Sequence, residues 1–211
     1  MKEIDINTWD RKEIFKHYQN VTHPFYMVTF KIDVTLLIKY THQYSLSFYK
    51  ALIYLCTTAI NRVPAFLKVI KDNKVYEIEK RNPSFTDLHS DSEAFYIVTM
   101  EIENSMNEWI QKATQVSNEQ KIFIDYEKEC GELIYYSCLP WLNLTALTNE
   151  RDENDPCFKD DSIPRISWGK YVEENGRYML GISLEVNHRL IDGIHIGKFV
   201  YELEKSIEEL A

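Results

Sequence analysis

The clearest periodicity lies toward the C-terminus. Between Tyr178 and Val186, the apolar Leu180, Ile182, Leu184 and Val186 alternate with Gly181, Ser183 and Glu185, the two-residue repeat of a strand that buries one face. His188 continues the apolar parity, so its ring is expected to leave the strand pointing toward the interior or a cleft. Beyond Gly193 the period changes. Ile196, Phe199, Val200, Leu203, Ile207 and Leu210 fall on one face of an amphipathic helix that runs to the chain end. The stretch Asn187-His188-Arg189-Leu190-Ile191-Asp192-Gly193 therefore sits on a strand-to-helix junction.

Upstream, residues 8 to 19 read as a short helix and Phe25 to Ile32 as a strand. Asp33 is placed to cap a helix through about Tyr40, and Ser45 to start the apolar helix Leu46 to Asn61, which Val63-Pro64 ends. Val69 to Tyr76 reads as a hairpin turning at Asp72-Asn73, followed by strands near Phe85 and from Ala94 to Glu101. Asn104 to about Glu119 is expected to be helical. Ile122 to Ile124, Leu133 to Ser137 and Leu142 to Leu147 are strand candidates, and 149 to 162 is a charged loop. Ile166 to Val172 and Arg177 to Val186 form a hairpin through Glu174-Asn175-Gly176. Hairpins mixed with helices imply an α+β layer structure.

At 211 residues with 45% hydrophobic side chains, the chain suits one large domain spanning 1–211. No linker-like stretch, repeat or low-complexity segment interrupts it. A formal charge of -9 argues against nucleic acid or an anionic membrane as partner, since both select basic patches. Neither an apolar leader nor a run of membrane-spanning length is present, and Cys56, Cys130, Cys138 and Cys157 are widely spaced. A reduced, cytoplasmic setting is therefore expected. His17, His23, His42 and His89 have no ligand spacing with one another or with cysteine, so no metal site is expected.

A histidine at a strand end is an ordinary rim residue, and Asp192-Gly193 an ordinary helix start. The wider pattern adds to this. His188-x-x-x-Asp192-Gly193 resembles the active-site signature of the chloramphenicol acetyltransferases and of the catalytic domain of dihydrolipoamide acyltransferases. Trp9-Asp10-Arg11-Lys12-Glu13-Ile14-Phe15-Lys16-His17-Tyr18 is similar to the opening Trp-x-Arg-x-x-x-Phe-x-x-Tyr of the former, and Leu139-Pro140-Trp141 to its Leu-Pro-Trp segment. Further similarity runs through Lys31-Ile32-Asp33, Phe48-Tyr49, Pro83-Ser84-Phe85-Thr86 and Lys170-Tyr171. The resemblance implies a two-layer CoA-dependent acyltransferase fold, a mixed sheet flanked by helices, assembled as a homotrimer with sites between subunits.

It also implies roles. His188 is the general base for direct acetyl transfer from acetyl-CoA, a co-substrate rather than a tightly bound cofactor. Asp192 pairs with Arg11 as support of the motif, and backbone contacts orient the histidine. Tyr18, Phe25 and Phe95 match or adjoin positions that shape the acceptor pocket; Tyr49 and Tyr171 match the CoA side. Two departures stand out. Ala146 occupies the place of a serine whose hydroxyl meets the tetrahedral intermediate, a loss worth on the order of 10² to 10³ in rate. Thr145 is expected on the opposite strand face, whereas Ser167 matches a threonine that orders water nearby. Asn187 replaces a histidine and gives Asn-His-Arg, nearer to the Asp-His-Arg of the dihydrolipoamide enzymes. Three readings stay open: an O-acetyltransferase for chloramphenicol or a related small molecule, an acyltransferase with a thiol or amine acceptor, and a non-catalytic CoA- or ligand-binding homologue.

Overall fold

A computed structural model describes residues 1–88, 92–103 and 105–211. Among these the chain runs β1 (Lys2–Ile4), α1 (Lys12–Gln19), β2 (Phe25–Asp33), α2 (Thr35–Gln43), α3 (Phe48–Asn61), β3 (Lys68–Lys71), β4 (Lys74–Glu77), β5 (Asn82–Leu88), β6 (Phe95–Thr99), α4 (Met106–Glu119), β7 (Leu133–Cys138), β8 (Arg165–Trp168), β9 (Val172–Glu174), β10 (Arg177–Asn187) and α5 (Gly193–Glu208). The periodic strand of the C-terminal region, β10, is central. It pairs antiparallel with β2 from Met179↔Asp33 to Asn187↔Phe25, and on its other side with β8 and β9.

The main sheet has the order β2-β10-β8-β7-β5-β6, with β9 also on β10. Its β5–β7 and β7–β8 pairs are parallel and the others antiparallel. This is the mixed α+β sheet with helices that the resemblance implied. A smaller sheet, β1-β4-β3, turns at Asp72 and Asn73, both at positive φ, the geometry a two-residue hairpin loop needs. Gly176, at φ +78, closes the β9–β10 turn after Asn175 at φ 55.

One face of the sheet is the core. Leu180, Ile182, Leu184 and Val186 of β10 pack with Ile32, with Leu52, Ile53, Cys56 and Ile60 of α3, and with Phe199 and Leu203 of α5. Helix α3 is apolar nearly all round because it lies between α4 and α5 against the sheet. The other face is polar yet also buried. Ser183, Glu185 and Asn187 lie beneath the irregular chain between β7 and β8, and each finds a partner there or on β2, as buried polar groups must.

Several expectations on boundaries change. Ser47, not Ser45, caps α3, accepting from Lys50 N at 3.3 Å, and Ser45 stands at φ 53. Asp33 does accept from Thr35 N (2.9 Å), one residue before the geometric cap at Val34. Ser105 caps α4 through a box with Glu108; the expected start at Asn104, like His89, lies outside the described residues. Residues 122–124 join no sheet, although Phe123 O accepts from Ile97 N at 2.8 Å.

Residues 142–147 are not a strand either. Their groups are drawn to the sheet's back face instead: Leu142 O accepts from Lys170 N (2.6 Å), and Leu147 N donates to Ser183 Oγ (3.0 Å). A Cβ at Gly169 would lie 2.3 Å from Leu142 O, so only glycine admits this approach.

Candidate active site

The strand-to-helix junction is built from its own side chains. His188 N donates to Pro24 O (2.7 Å), carrying the β10–β2 pairing one step past Asn187. Asn187 then closes the turn. Its backbone carbonyl accepts from Leu190 N and Ile191 N, and its Oδ1 accepts from Arg189 N at 3.1 Å. Its Nδ2 donates to Lys159 O and Asp161 O, each at 2.9 Å. The asparagine that departs from the chloramphenicol pattern thus ties the junction to the loop before β8.

Arg11, just before α1, grips the junction from the other side. Nη2 donates to His188 O (2.9 Å), Nε to Arg189 O (3.0 Å) and Nη1 to Asp192 Oδ2 (2.5 Å). The fixed fork of a guanidinium suits three acceptors along one bend. Burial opposes the charge on Asp192, but the hydrogen bond and charge of Arg11 outweigh it and hold the carboxyl below its ordinary range. The carboxylate does not reach the imidazole as a triad partner: no hydrogen bond or ion pair joins it to His188 among the described residues.

His188 is half-buried, with its ring between two tyrosines. Tyr18 stacks at 4.2 Å between centroids and 27°, and Tyr26 at 4.4 Å and 11°. Ring stacking on both sides adds to the hold that Pro24 and Arg11 have on the His188 backbone. Burial, reinforced by Arg11 and opposed by Asp192, lowers the imidazole pKa and favours the neutral ring. Tyr26 belongs to none of the sequence motifs. Its register opposite Val186, on the core parity, is the signal that points to it.

The other candidates scatter. Phe25 faces away from Tyr26, beneath the Arg151 guanidinium (3.5 Å) and against Phe158, in a cleft of about 410 Å³ that Glu185 also lines. Phe95 is on edge strand β6 against Phe123, with β8, β7 and β5 between it and β10. Tyr49 packs on Trp168 and Phe85 and donates to Thr86 O (2.6 Å), and burial pushes its phenol pKa up. Tyr171 packs on Phe48 and Tyr178.

Thr145 and Ala146 are both exposed, so the opposite-face expectation for Thr145 falls with the strand itself. Ser167 lies in a cross-strand row, Thr29–Ser183–Ser167–Ser137, and its buried Oγ has no hydrogen-bond partner among the described residues. A second cavity, of about 400 Å³, borders Arg11, Asp192 and His195 and is floored by Trp9, Val63 and Leu190. His195 likewise belongs to none of the motifs; its Nδ1 lies 3.0 Å from Asp192 Oδ1. No cluster of three or more His, Cys, Asp or Glu among the described residues is placed to hold a metal, and no helix among them is long and apolar enough to cross a membrane.

Comparison with known proteins bears on this arrangement. A family model described as chloramphenicol acetyltransferase matches residues 1–204. A chloramphenicol acetyltransferase of Clostridium perfringens is 30% identical over 206 residues, 96% of this chain and 92% of that one. Chloramphenicol acetyltransferase 3 of Escherichia coli is 28% identical over 207 residues, 96% and 95% of the two chains. Among solved structures, a chloramphenicol acetyltransferase superposes with a TM-score of 0.86 at 21% identity, over 96% of this chain and 97% of that one. A probable dihydrolipoamide acetyltransferase from Listeria monocytogenes reaches 0.68 at 15% identity, over 100% and 96%. With its fold shared by both and its length matched nearly end to end by the family model, the chain belongs to the chloramphenicol acetyltransferase family.

Proposed function

We propose that the protein is an acetyltransferase that moves an acetyl group from acetyl-CoA directly to a hydroxyl of chloramphenicol or a related small molecule, with His188 as general base. The observation that carries the reading is the His188 imidazole stacked between Tyr18 and Tyr26 on a junction clamped by Arg11, where burial lowers its pKa. A hydroxyl is a weak nucleophile at neutral pH and a thioester an activated acyl donor, so a base and a home for the developing oxyanion are what the protein must supply. His188 removes the acceptor's proton as its oxygen attacks the acetyl carbonyl. The tetrahedral intermediate then collapses with cleavage of the C–S bond, and the proton passes from the imidazolium to the departing CoA thiolate. The route needs no acyl-enzyme.

We read the chain as one acyltransferase domain over residues 1–211, acting as a homotrimer with each site shared between copies. The scatter within one chain supports this: Phe95 stands several strands from β10, Thr145 and Ala146 are exposed, and Tyr49 and Tyr171 pack on other aromatic rings rather than on His188. Tyr18, Phe25 and Phe95 would shape the acceptor pocket and Tyr49 and Tyr171 the CoA side. Four unpaired cysteines suit a reducing cytoplasm.

Ala146 supports a second reading, a weakly active or non-catalytic homologue, because it offers no hydroxyl and Ser167 Oγ is buried. Purified protein given acetyl-CoA and a panel of hydroxyl, thiol and amine acceptors, chloramphenicol among them, separates these readings by thiol release. Acetylation of chloramphenicol or a related alcohol is expected. Transfer to thiols or amines alone, or no transfer to any acceptor, would overturn the proposal.

A further inference from the structure

We infer that His195, in the first turn of α5, is a positioning residue: its neutral ring carries its proton on Nδ1 and donates it to Asp192 Oδ1. A chain of contacts then runs from His195 through Asp192 and Arg11 to the carbonyl of His188. The inference rests on the reading of His188 as general base.

The geometry makes two tautomers compete for one nitrogen. His195 Nδ1 lies 3.0 Å from Asp192 Oδ1 and 3.2 Å from the backbone N of Asp192. With the proton on Nε2, Nδ1 accepts from the Asp192 amide, but its lone pair also faces a carboxylate oxygen. Asp192 Oδ1 is itself buried and then has no side-chain donor among the described residues; the capping box at the start of α5 turns the Asp192 side chain only toward the backbone N of His195, without a full hydrogen bond to Oδ1. With the proton on Nδ1, that oxygen gains a donor and the amide loses an acceptor. The amide is neutral and the carboxylate charged. Leaving one oxygen of the charged group without a donor costs more, even with Oδ2 held by Arg11.

A third state, the imidazolium, also donates from Nδ1. Its surroundings oppose it. Arg11 faces it from before α1, Lys68 from β3 and Lys198 from α5, against the negative charge of Asp192; Asp10 lines the same cavity. Burial, together with Arg11, Lys198 and Lys68, outweighs Asp192 and lowers the His195 pKa, so the neutral ring prevails near pH 7.

The consequence for chemistry is indirect. Asp192 uses Oδ2 for Arg11, and a donor on Oδ1 fixes the carboxylate about its remaining torsion. Arg11 in turn holds the carbonyls of His188 and Arg189. Loosening Asp192 shifts the His188 ring relative to the reacting atoms, a cost that falls on turnover rather than on substrate binding.

Two measurements on the intact protein test this. In long-range 1H–15N NMR of histidine-labelled protein, with the His195 signals assigned by their absence from His195→Asn, the pattern of a ring protonated on Nδ1 alone is expected. An Nε2-protonated pattern would overturn the inference. In kinetics with acetyl-CoA and chloramphenicol, His195→Leu should lower kcat by on the order of 10-fold, the scale of one hydrogen bond to a charged group. KM for both substrates should stay within about 2-fold. His195→Asn, whose amide can donate near the Nδ1 position, should recover most of the loss. Unchanged kcat in His195→Leu, or equal losses in both variants, would refute the role. If the parent acetylates nothing, the proposed function fails while the NMR still decides the tautomer.

Discussion

The His188 junction and the segment around Ala146 are built on opposite principles. At the junction the backbone is tied down within one chain, although Arg189 Nε and Asp192 Oδ1 are buried there without a hydrogen-bond partner among the described residues: Arg11 fills three acceptors, and Asn187 closes the turn and holds the loop before β8. Around Ala146 the chain is irregular and exposed, and the nearby Ser167 hydroxyl is buried without a partner among the described residues. The proposed base is thus held by the fold of a single chain, whereas the segment matched to the family's oxyanion position is not.

The largest effect is expected at His188, where the contrast between the two regions can be removed outright. His188→Ala should leave the protein folded, by circular dichroism and thermal melting, and cut acetyl transfer by about 10² to 10⁴, the worth of general-base catalysis. Near-parental turnover would show that the junction is preorganised for something else.

Releasing the junction's clamp should cost stability. Arg11→Ala leaves the Asp192 carboxylate without its ion-pair partner, so the unfolding free energy from urea titration should fall by about 3 to 5 kcal/mol, the cost of orphaning a shielded charge. A change below about 1 kcal/mol, as for surface pairs, would make the junction no better built than the Ala146 segment.

The less organised region can be given what it lacks. Ala146→Ser should raise kcat more than it changes KM, because a preorganised hydroxyl stabilises charge present mainly in the transition state. The ceiling is about 10² to 10³, and a water already in that space would reduce it. No gain with any acceptor that the parent acetylates would place oxyanion stabilisation elsewhere.

The smallest effects are in pH dependence. Burial and Arg11 lower the His188 pKa below its ordinary 6.5, so kcat/KM should be flat above 6.5 and fall only as pH drops through a lower midpoint. Asp192 is lowered from 3.8, so its stabilisation is full above 3.8 and lost as pH falls through the folded value. Arg11→Ala should move the acid-unfolding midpoint upward; an unmoved midpoint would detach Asp192 from that stability.

Elements with strong local periodicity are legible in the amino-acid sequence: β10, α3, α5 and the Asp72–Asn73 hairpin stand close to their expected positions. Failures cluster where local pattern and tertiary contact disagree. The leucines of 142–147 suggest a strand, but the segment spends its backbone groups on Lys170 and Ser183 across the sheet face. Ser45 and Ser47 are both plausible caps by type; only the backbone at φ 53 rules out the first.

The strand-to-helix junction, the placing of His188 at its strand end and the mixed α+β class follow from periods of 2 and 3.6 and from motif order, all of them properties of the linear chain. Packing alone established that Tyr18 and Tyr26 sandwich the ring, that Arg11 spans His188, Arg189 and Asp192, and that His195 meets the free oxygen of Asp192. The physical reason is reach. Periodicity records which face of one element is apolar, whereas the contacts that orient a ring or satisfy a carboxylate come from residues distant in the chain, whose meeting depends on how whole elements pack.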